Sequence, residues 1–154
     1  GGGGGGGGGR GGGGVAVALA VQAKGLSDRD LYLPATYGPM PAPSDVDVDV
    51  HGRKARDDWE TYMAEQPFTP ASEVAANLES TGYPMDRVHL VVGMVEETIP
   101  SQAPDAIAVL RLDTDYYVST RHELQHLYPR ISSGGALLID DSGHPQGARP
   151  AVEQ

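Results

Sequence analysis

The sequence predicts an α/β fold in which helices alternate with the strands of a parallel sheet. Three observations support this prediction. Apolar runs of strand length recur along the chain, helix-compatible segments separate most of them, and two of the runs end abruptly in carboxylates. Because ligands bind at the carboxyl ends of the strands in an open parallel sheet, these acidic ends mark a candidate functional site.

The predicted elements follow the order helix, strand, helix, strand, strand, helix, strand, and glycine or proline marks most of their boundaries. Pro34 is expected to end the first strand, and Ser-Ser-Gly-Gly at 132–135 is expected to form a turn before the last one. The helices are predicted at 15–24, 70–80 and 118–128, and the strands at 31–33, 88–93, 107–112 and 136–139.

The segment between the first strand and the second main helix has a different composition. Residues 38–58 are rich in proline, and the alternating Asp-Val run at 45–50 is interpreted as a solvated acidic loop. A short helix is predicted at 57–66. His89, within the second strand, is interpreted as a packed strand residue rather than a ligand.

Composition excludes several classes of function. The chain has 154 residues, enough for one domain, and no cysteine, so disulfides and thiolate metal sites are ruled out. The net charge of −10 and eleven scattered basic residues argue against nucleic-acid binding. No run reaches the roughly 18 apolar residues of a membrane span. The expectation is a cytoplasmic protein, and the sequence leaves open whether it is a homo-oligomer.

The first fourteen residues are glycine apart from Arg10. One interpretation is a flexible linker or an artefact, because glycine cannot build a core. The other is that Arg10-Gly11-Gly12 forms a glycine-rich turn that opens the first helix, as in nucleotide-type cofactor sites. The expected organisation is therefore a tract at 1–14 and a partial domain at 15–154, truncated at both ends because strands that should complete the sheet are missing.

Four carboxylates are expected at the carboxyl edge of the sheet. Asp113 and Asp115 follow the third predicted strand, and Asp140 and Asp141 follow the fourth. The tips of neighbouring parallel strands lie about 5 Å apart, so three of these side chains can meet one cation. Carboxylate oxygens favour Mg²⁺ or Ca²⁺ over zinc. The alternative is that acidic residues merely cap strand ends in loops.

A second metal motif competes with this one. His122-Glu123-Leu124-Gln125-His126 fits H-E-x-x-H, in which two histidines bind zinc and the glutamate is the base of a metalloprotease. The apolar stripe of the predicted helix is centred near Leu124, which places both histidines on the opposite, solvent-facing side. No later segment supplies a clear third ligand. Surface histidines are therefore the preferred interpretation.

The motifs resemble those of the macrocin O-methyltransferase (TylF) family over nearly the whole chain. Leu-Arg-Leu-Asp-Thr-Asp at 110–115 resembles the family's L-R-L-D-G-D, and residues 31–41 resemble its L-Y-L-F-D-T-F-E-G-M-P segment. Residues 93–100 resemble a G-x-F-x-D-T-L-P turn, and Arg10-Gly11-Gly12 resembles the end of a G-V-W-R-G-G cofactor loop. The Ile-Asp-Asp sequence at 139–141 completes the set.

The resemblance implies a Rossmann-like, doubly wound parallel sheet of the class I methyltransferase type. It also implies transfer of a methyl group from S-adenosylmethionine to a sugar hydroxyl of a secondary metabolite such as a macrolide-type glycoside, with no nucleic-acid or membrane partner. The implied Mg²⁺ ligands are Asp113, Asp140 and Asp141, the implied general base is Asp115, and the implied cofactor-binding residues are Gly7, Arg10, Gly11, Gly12 and Thr36.

The chain departs from the family pattern at three places. Ala35 stands where the family has an acid after the second strand, a position that holds ribose hydroxyls in comparable folds. Thr114 replaces a glycine, and polyglycine replaces the first strand. Asp28 and Asp30 precede the strand and are not expected to take over the missing acid. A truncated relative without catalysis is therefore the alternative function, ahead of the zinc protease.

Overall fold

The computed structural model describes residues 12–38, 42, 54, 59, 61, 68–114 and 116–139. The chain forms two compact units, Gly1–Gly38 with Phe68–Met94 and Pro39–Pro67 with Val95–Gln154. Among the described residues, each unit contains one two-stranded parallel sheet and helices. The predicted α/β class with parallel strands is confirmed. The predictions at 38–58 and 57–66 lie mostly outside the described residues, as do Gly7, Arg10, Gly11, Asp115, Asp140 and Asp141.

The first unit contains two helices and two strands. Strands β1 and β2 are parallel, with Leu31 opposite Val88 and Ala35 opposite Val92. Buried apolar residues between the helices and this sheet form its core: Ala18, Leu31, Val74, Leu78 and Tyr83. The elements are α1 (Gly12–Ala23), β1 (Leu31–Ala35), α2 (Ala71–Glu79), a 3₁₀ turn (Met85–Arg87) and β2 (Val88–Val92).

Most boundaries in this unit agree with the sequence patterns. Gly25 and Gly82, with φ of 69° and 77°, follow α1 and α2 in a left-handed conformation that glycine adopts without a steric penalty. The prediction that Pro34 ends β1 is wrong, since the strand continues to Ala35. The Ala35 carbonyl accepts a hydrogen bond from the Gly93 N–H at 3.0 Å. Because backbone groups alternate in direction along a strand, the Pro34 nitrogen faces away from this pairing and costs no hydrogen bond.

The second unit is built on the other pair of strands. Its core consists of Val95, Ile99, Ile107, Leu110, Leu112 and Leu127. The short helix α3 was not predicted from the sequence, whereas α4 lies within one residue of its predicted position. The elements are α3 (Val95–Thr98), β3 (Ile107–Leu112), α4 (Tyr117–Leu127), a 3₁₀ turn (Tyr128–Arg130) and β4 (Ile131–Ile139). None of the helices in the described part of the chain combines the length and apolar character needed to cross a bilayer.

Strand β4 begins five residues before its predicted start, so the predicted turn at 132–135 is wrong. Ile107 pairs with Ile131, but Val109 pairs with Ala136, so β4 carries three more residues than β3 over this interval. Gly134 has a φ of 81° within the irregular stretch. The Ser-Ser-Gly-Gly sequence therefore forms an irregular, bulged part of the strand, where glycine supplies the unusual backbone geometry.

Replacing Gly135 by alanine is expected to lower the free energy of unfolding by about 1–3 kcal/mol. A Cβ atom at this position would lie 2.7 Å from Ile131 Cγ2 and 2.9 Å from the carbonyl oxygens of Ala108 and Ser132. Two of these neighbours are backbone atoms, which cannot rotate away. Urea unfolding measures the effect, and exposed Ser133→Ala on the same strand is the control. A Gly135→Ala variant as stable as the control would contradict the prediction.

Candidate active site

Asp113 directly follows β3, and the last paired residues of the second sheet are Leu112 and Ile139. Asp140 follows Ile139 in the sequence, so acidic residues come immediately after two neighbouring, parallel strands. The predicted adjacency of these strands is confirmed. Asp140, Asp141 and Asp115 lie outside the described residues, and their predicted roles remain predictions.

The carboxylate of Asp113 is held by a nearby guanidinium. Arg111 Nη1 donates a hydrogen bond to Asp113 Oδ2 at 2.8 Å, and the two side chains are 30% and 21% exposed. Because both groups are largely shielded from water, their attraction is stronger than that of a surface ion pair. Arg111 thus orients the Asp113 carboxylate at the end of β3.

The described residues do not by themselves form a metal site. Within 12–38, 68–114 and 116–139, no group of three or more His, Asp or Glu side chains could hold an ion. Asp113 offers the hard oxygen donors that Mg²⁺ prefers. It is the one proposed ligand of the three that the structure describes, and a fit to Mg²⁺ depends on Asp140 and Asp141.

Thr114, the residue after Asp113, takes part in a buried hydrogen-bond network with side chains of α4. Thr114 Oγ1 donates to Glu123 Oε2 at 2.7 Å and lies 3.1 Å from Thr120 Oγ1. The Thr120 hydroxyl is also 3.0 and 2.9 Å from the carbonyl oxygens of Thr114 and Tyr116. Thr120 and Glu123 are 1% and 4% exposed. This network ties Thr114 to helix α4, whose N-cap residue is Tyr116.

Burial raises the pKa of the Glu123 carboxyl from 4.5 to about 7. Desolvation is the main cause, the hydrogen bond from Thr114 acts in the opposite direction, and the negative charges of Glu96 and Asp113 add to the increase. In the sequence, Glu123 stands out only as part of the zinc motif. The signal for its burial is its helical spacing from the inward-facing Thr120 and Leu127.

The zinc motif does not form a zinc site in the described residues. His122 Nε2 lies 2.9 Å from the Ile99 carbonyl oxygen. A carbonyl only accepts hydrogen bonds, so Nε2 carries the proton and is not available as a metal ligand. The buried stripe of α4 is displaced by about one residue from its prediction, because its buried side chains are Thr120, Glu123 and Leu127. Both histidines are only partly exposed.

In the first unit, the structure describes two of the predicted cofactor-binding residues. Gly12 begins α1, whose first N–H groups have no partner within the helix, and Thr36 directly follows β1. A Cβ atom at Gly14 would clash with Leu33 Cδ2, so glycine allows α1 to pack closely on β1. Close helix–strand packing through glycine is a feature of dinucleotide-binding turns, which fits a nucleotide-type cofactor.

The acid that the family carries after β1 has no replacement in the described part of this unit. Ala35 is exposed. Asp30 lies before β1, where its carboxylate is 3.1 Å from His89 Nε2 and 3.5 Å from Arg87 Nη1. The expectation that Asp30 does not take over the role of the acid stays a prediction. His89 also stacks on Tyr32 at 4.4 Å and is 39% exposed, so it is less packed than predicted.

A family model described as macrocin-O-methyltransferase (TylF) matches residues 6–154. A tetracenomycin enzyme of Streptomyces olivaceus, 8-demethyl-8-(2,3-dimethoxy-alpha-L-rhamnosyl)-tetracenomycin-C 4'-O-methyltransferase, is 42% identical over 72 residues, or 47% of this chain and 28% of the relative. Mycinamicin III 3''-O-methyltransferase of Micromonospora griseorubida is 37% identical over 86 residues, or 56% and 34%. Demethyldecarbamoylnovobiocin O-methyltransferase of Streptomyces niveus is 34% identical over 82 residues, or 53% and 31%.

Solved structures show the same fold. The O-methyltransferase NovP superimposes with a TM-score of 0.74 and 26% identity, covering 90% of this chain and 56% of NovP. The calicheamicin methyltransferase CalS11 has a TM-score of 0.59 and 21% identity, covering 89% and 58%, which supports the fold alone. The chain thus spans just over half the length of these structures, and its matched segments span about a third of the curated relatives.

Proposed function

We propose that this chain, which belongs to the macrocin-O-methyltransferase (TylF) family, is part of an S-adenosylmethionine-dependent O-methyltransferase that acts on a sugar hydroxyl of a secondary metabolite. The observation that carries the proposal is the parallel pairing of β3 and β4, which ends at Leu112 and Ile139. Acidic residues follow both strands, as a metal-assisted transfer to a hydroxyl requires. The named relatives, all O-methyltransferases, support the reaction class.

In this proposal, the first unit binds the cofactor, which supplies a methyl group on a positively charged sulfur. Gly12 and Thr36 lie at the start of α1 and the end of β1. Close packing at Gly14 holds α1 against β1, and the first N–H groups of α1 attract polar or negative groups. Gly7, Arg10 and Gly11 are proposed to complete the loop.

The second unit is proposed to prepare the acceptor hydroxyl. Asp113, Asp140 and Asp141 would hold Mg²⁺, which supplies positive charge that stabilises a developing alkoxide. Asp115 is proposed to remove the hydroxyl proton. S-adenosylmethionine, when bound, would supply the methyl group to this oxygen and would be released as S-adenosylhomocysteine, which keeps the electron pair of the broken carbon–sulfur bond. The proposed partner is a small glycoside.

Calorimetry tests the proposed function directly. S-adenosylmethionine is titrated into the protein with and without Mg²⁺, and binding to the chain is expected in both conditions. An absence of binding at millimolar cofactor would overturn the proposal for this chain and would favour the second candidate, a relative that has lost catalysis. Ala35, in the position of the family's acid, is the observation that supports this second candidate.

Replacing Ala35 by aspartate is expected to strengthen S-adenosylmethionine binding about tenfold or more. A carboxylate at this position would accept hydrogen bonds from the ribose hydroxyls, and hydrogen bonds to charged groups contribute about 1.5–3 kcal/mol. Ala35 is exposed, so the new charge is not buried in the free protein. Calorimetry measures the change, and Ala76→Asp, at an exposed position of α2, is the matched control. Equal affinities for both variants would contradict the prediction.

A further inference from the structure

We propose that Glu123 is a positioning residue that holds the loop at 113–116 through Thr114. Glu123 belongs to the H-E-x-x-H sequence, which forms no zinc site in the described residues. The functional consequence of the inference rests on the proposed function, because Asp113 and Asp115 receive their roles there. The holding of the loop rests only on contacts within the second unit.

The hydrogen-bond capacity of the three side chains explains why an acceptor is needed at position 123. A threonine hydroxyl has a single proton to donate. Thr114 Oγ1 gives its proton to Glu123 Oε2 at 2.7 Å, and the Thr120 hydroxyl is left to donate to the backbone carbonyls of the loop. Without an acceptor at 123, the partly buried Thr114 hydroxyl loses this bond and keeps only the 3.1 Å contact with Thr120 Oγ1. Loss of a hydrogen bond to a buried carboxyl group destabilises the arrangement that contains it.

The network is anchored in a rigid part of the unit. Thr120 and Glu123 lie on the buried face of α4 beside Leu127, with 1%, 4% and 5% of their surfaces exposed. Buried side chains on a helix have few alternative rotamers. The loop, by contrast, is attached through a threonine side chain where the family pattern has glycine. The side chain at 114 thus gives α4 a point of attachment that glycine cannot provide.

The attachment point precedes the proposed base in the sequence. The carbonyl oxygen of Thr114 is 3.0 Å from Thr120 Oγ1. Tyr116 is the N-cap residue of α4, and its carbonyl accepts from the Thr120 N–H at 3.0 Å as the first hydrogen bond of the helix. The backbone at Thr114 is therefore tied to the first turn of α4. Asp113, one residue before Thr114, is fixed from the other direction by Arg111.

Hydrogen exchange of the full 154-residue chain, without any ligand, tests whether the loop is held. In Glu123→Ala and Thr114→Ala, amides at 114–117 are expected to exchange about tenfold faster or more, because each variant removes the same bond. Glu123→Gln and Thr114→Ser keep an acceptor and a donor, so both are expected to restore protection. Gln125→Ala, at an exposed position of the same helix, is the control.

Calorimetric titration with Mg²⁺ adds a measurement that general destabilisation does not reproduce. Removing a residue that orients a metal ligand reduces metal affinity about 10–100-fold. We expect this reduction in Mg²⁺ affinity for the folded Glu123→Ala variant but not for Glu123→Gln. Unchanged exchange at 114–117 in both alanine variants would overturn the inference. So would equal acceleration throughout the second unit, since Glu123 would then act only on stability.

The two proposals fail in different ways. If the wild-type chain binds neither Mg²⁺ nor S-adenosylmethionine while exchange at 114–117 responds as expected, the proposed function is wrong and the holding of the loop by Glu123 is supported. If the wild-type chain binds both and the alanine variants keep wild-type exchange and metal affinity, the inference about Glu123 is wrong and the proposed function stands.

Discussion

The Asp113→Asn variant is expected to lose Mg²⁺ affinity and to reduce methyl transfer by about two to three orders of magnitude. Asparagine keeps the size of the side chain and a hydrogen-bond acceptor for Arg111, which donates to Asp113 at 2.8 Å. It removes the negative charge that a hard cation requires. A bound cation contributes several kcal/mol to a developing alkoxide, and each 1.36 kcal/mol corresponds to a factor of ten in rate.

Titration calorimetry with Mg²⁺ and turnover of S-adenosylmethionine with a glycoside acceptor measure the two effects. His122→Ala is the control, because its Nε2 is bonded to the Ile99 carbonyl oxygen at 2.9 Å rather than free to bind an ion. Mg²⁺ affinity is expected to be unchanged in the control. A loss of metal binding in His122→Ala together with full binding in Asp113→Asn would support the zinc alternative instead.

The free energy of unfolding is expected to contain a component from Glu123 that decreases as the pH rises from about 4.5 to about 7. The pKa of the carboxyl is raised to about 7 in the folded chain, above the ordinary value of 4.5. The unfolded state therefore loses this proton first, so the folded state is favoured fully below pH 4.5 and progressively less up to pH 7. At 1.36 kcal/mol per pH unit, the component amounts to about 3 kcal/mol.

The groups that face Glu123 are Thr114 and the carboxylates of Glu96 and Asp113, and the two charges oppose its ionisation. Urea unfolding of the wild-type chain and of Glu123→Gln at several pH values isolates the effect, because other titrating groups are common to both proteins. The glutamine variant is expected to become relatively more stable as the pH approaches 7. A constant difference in stability between pH 4.5 and 7 would show that the Glu123 pKa is not raised.

The sequence was sufficient to predict the elements whose boundaries depend on local chemistry. Glycines with positive φ follow α1 and α2, and α4 differs from its prediction by one residue. The sequence predicted the wrong boundary where a residue type fits two kinds of structure. Pro34 is compatible with a strand when its nitrogen faces away from the neighbouring strand. Glycine is common in bulges as well as in turns, and Gly134 and Gly135 lie in a bulge.

The candidate site was predictable to a similar extent. Asp113 could be identified because a carboxylate after an apolar strand has a defined place in a parallel sheet. Glu123 could not be identified, because a shift of one residue in the position of the buried stripe on α4 moves this side chain from the predicted surface to the interior. Its burial depends on a hydroxyl from Thr114, nine residues away. Such a partner is recognised only when the helix and the loop are placed together.

The bulge in β4 has a consequence for how the family can change in length. Three extra residues are accommodated between Ile131 and Ala136, and regular pairing then continues to Leu112 and Ile139. Insertions or deletions within the bulge can be absorbed there without rotating the later side chains. A single-residue change after Ala136 would instead turn every following side chain of the strand to the opposite face. Natural variation in length should therefore accumulate at 132–135, while the four residues before Asp140 keep a constant spacing.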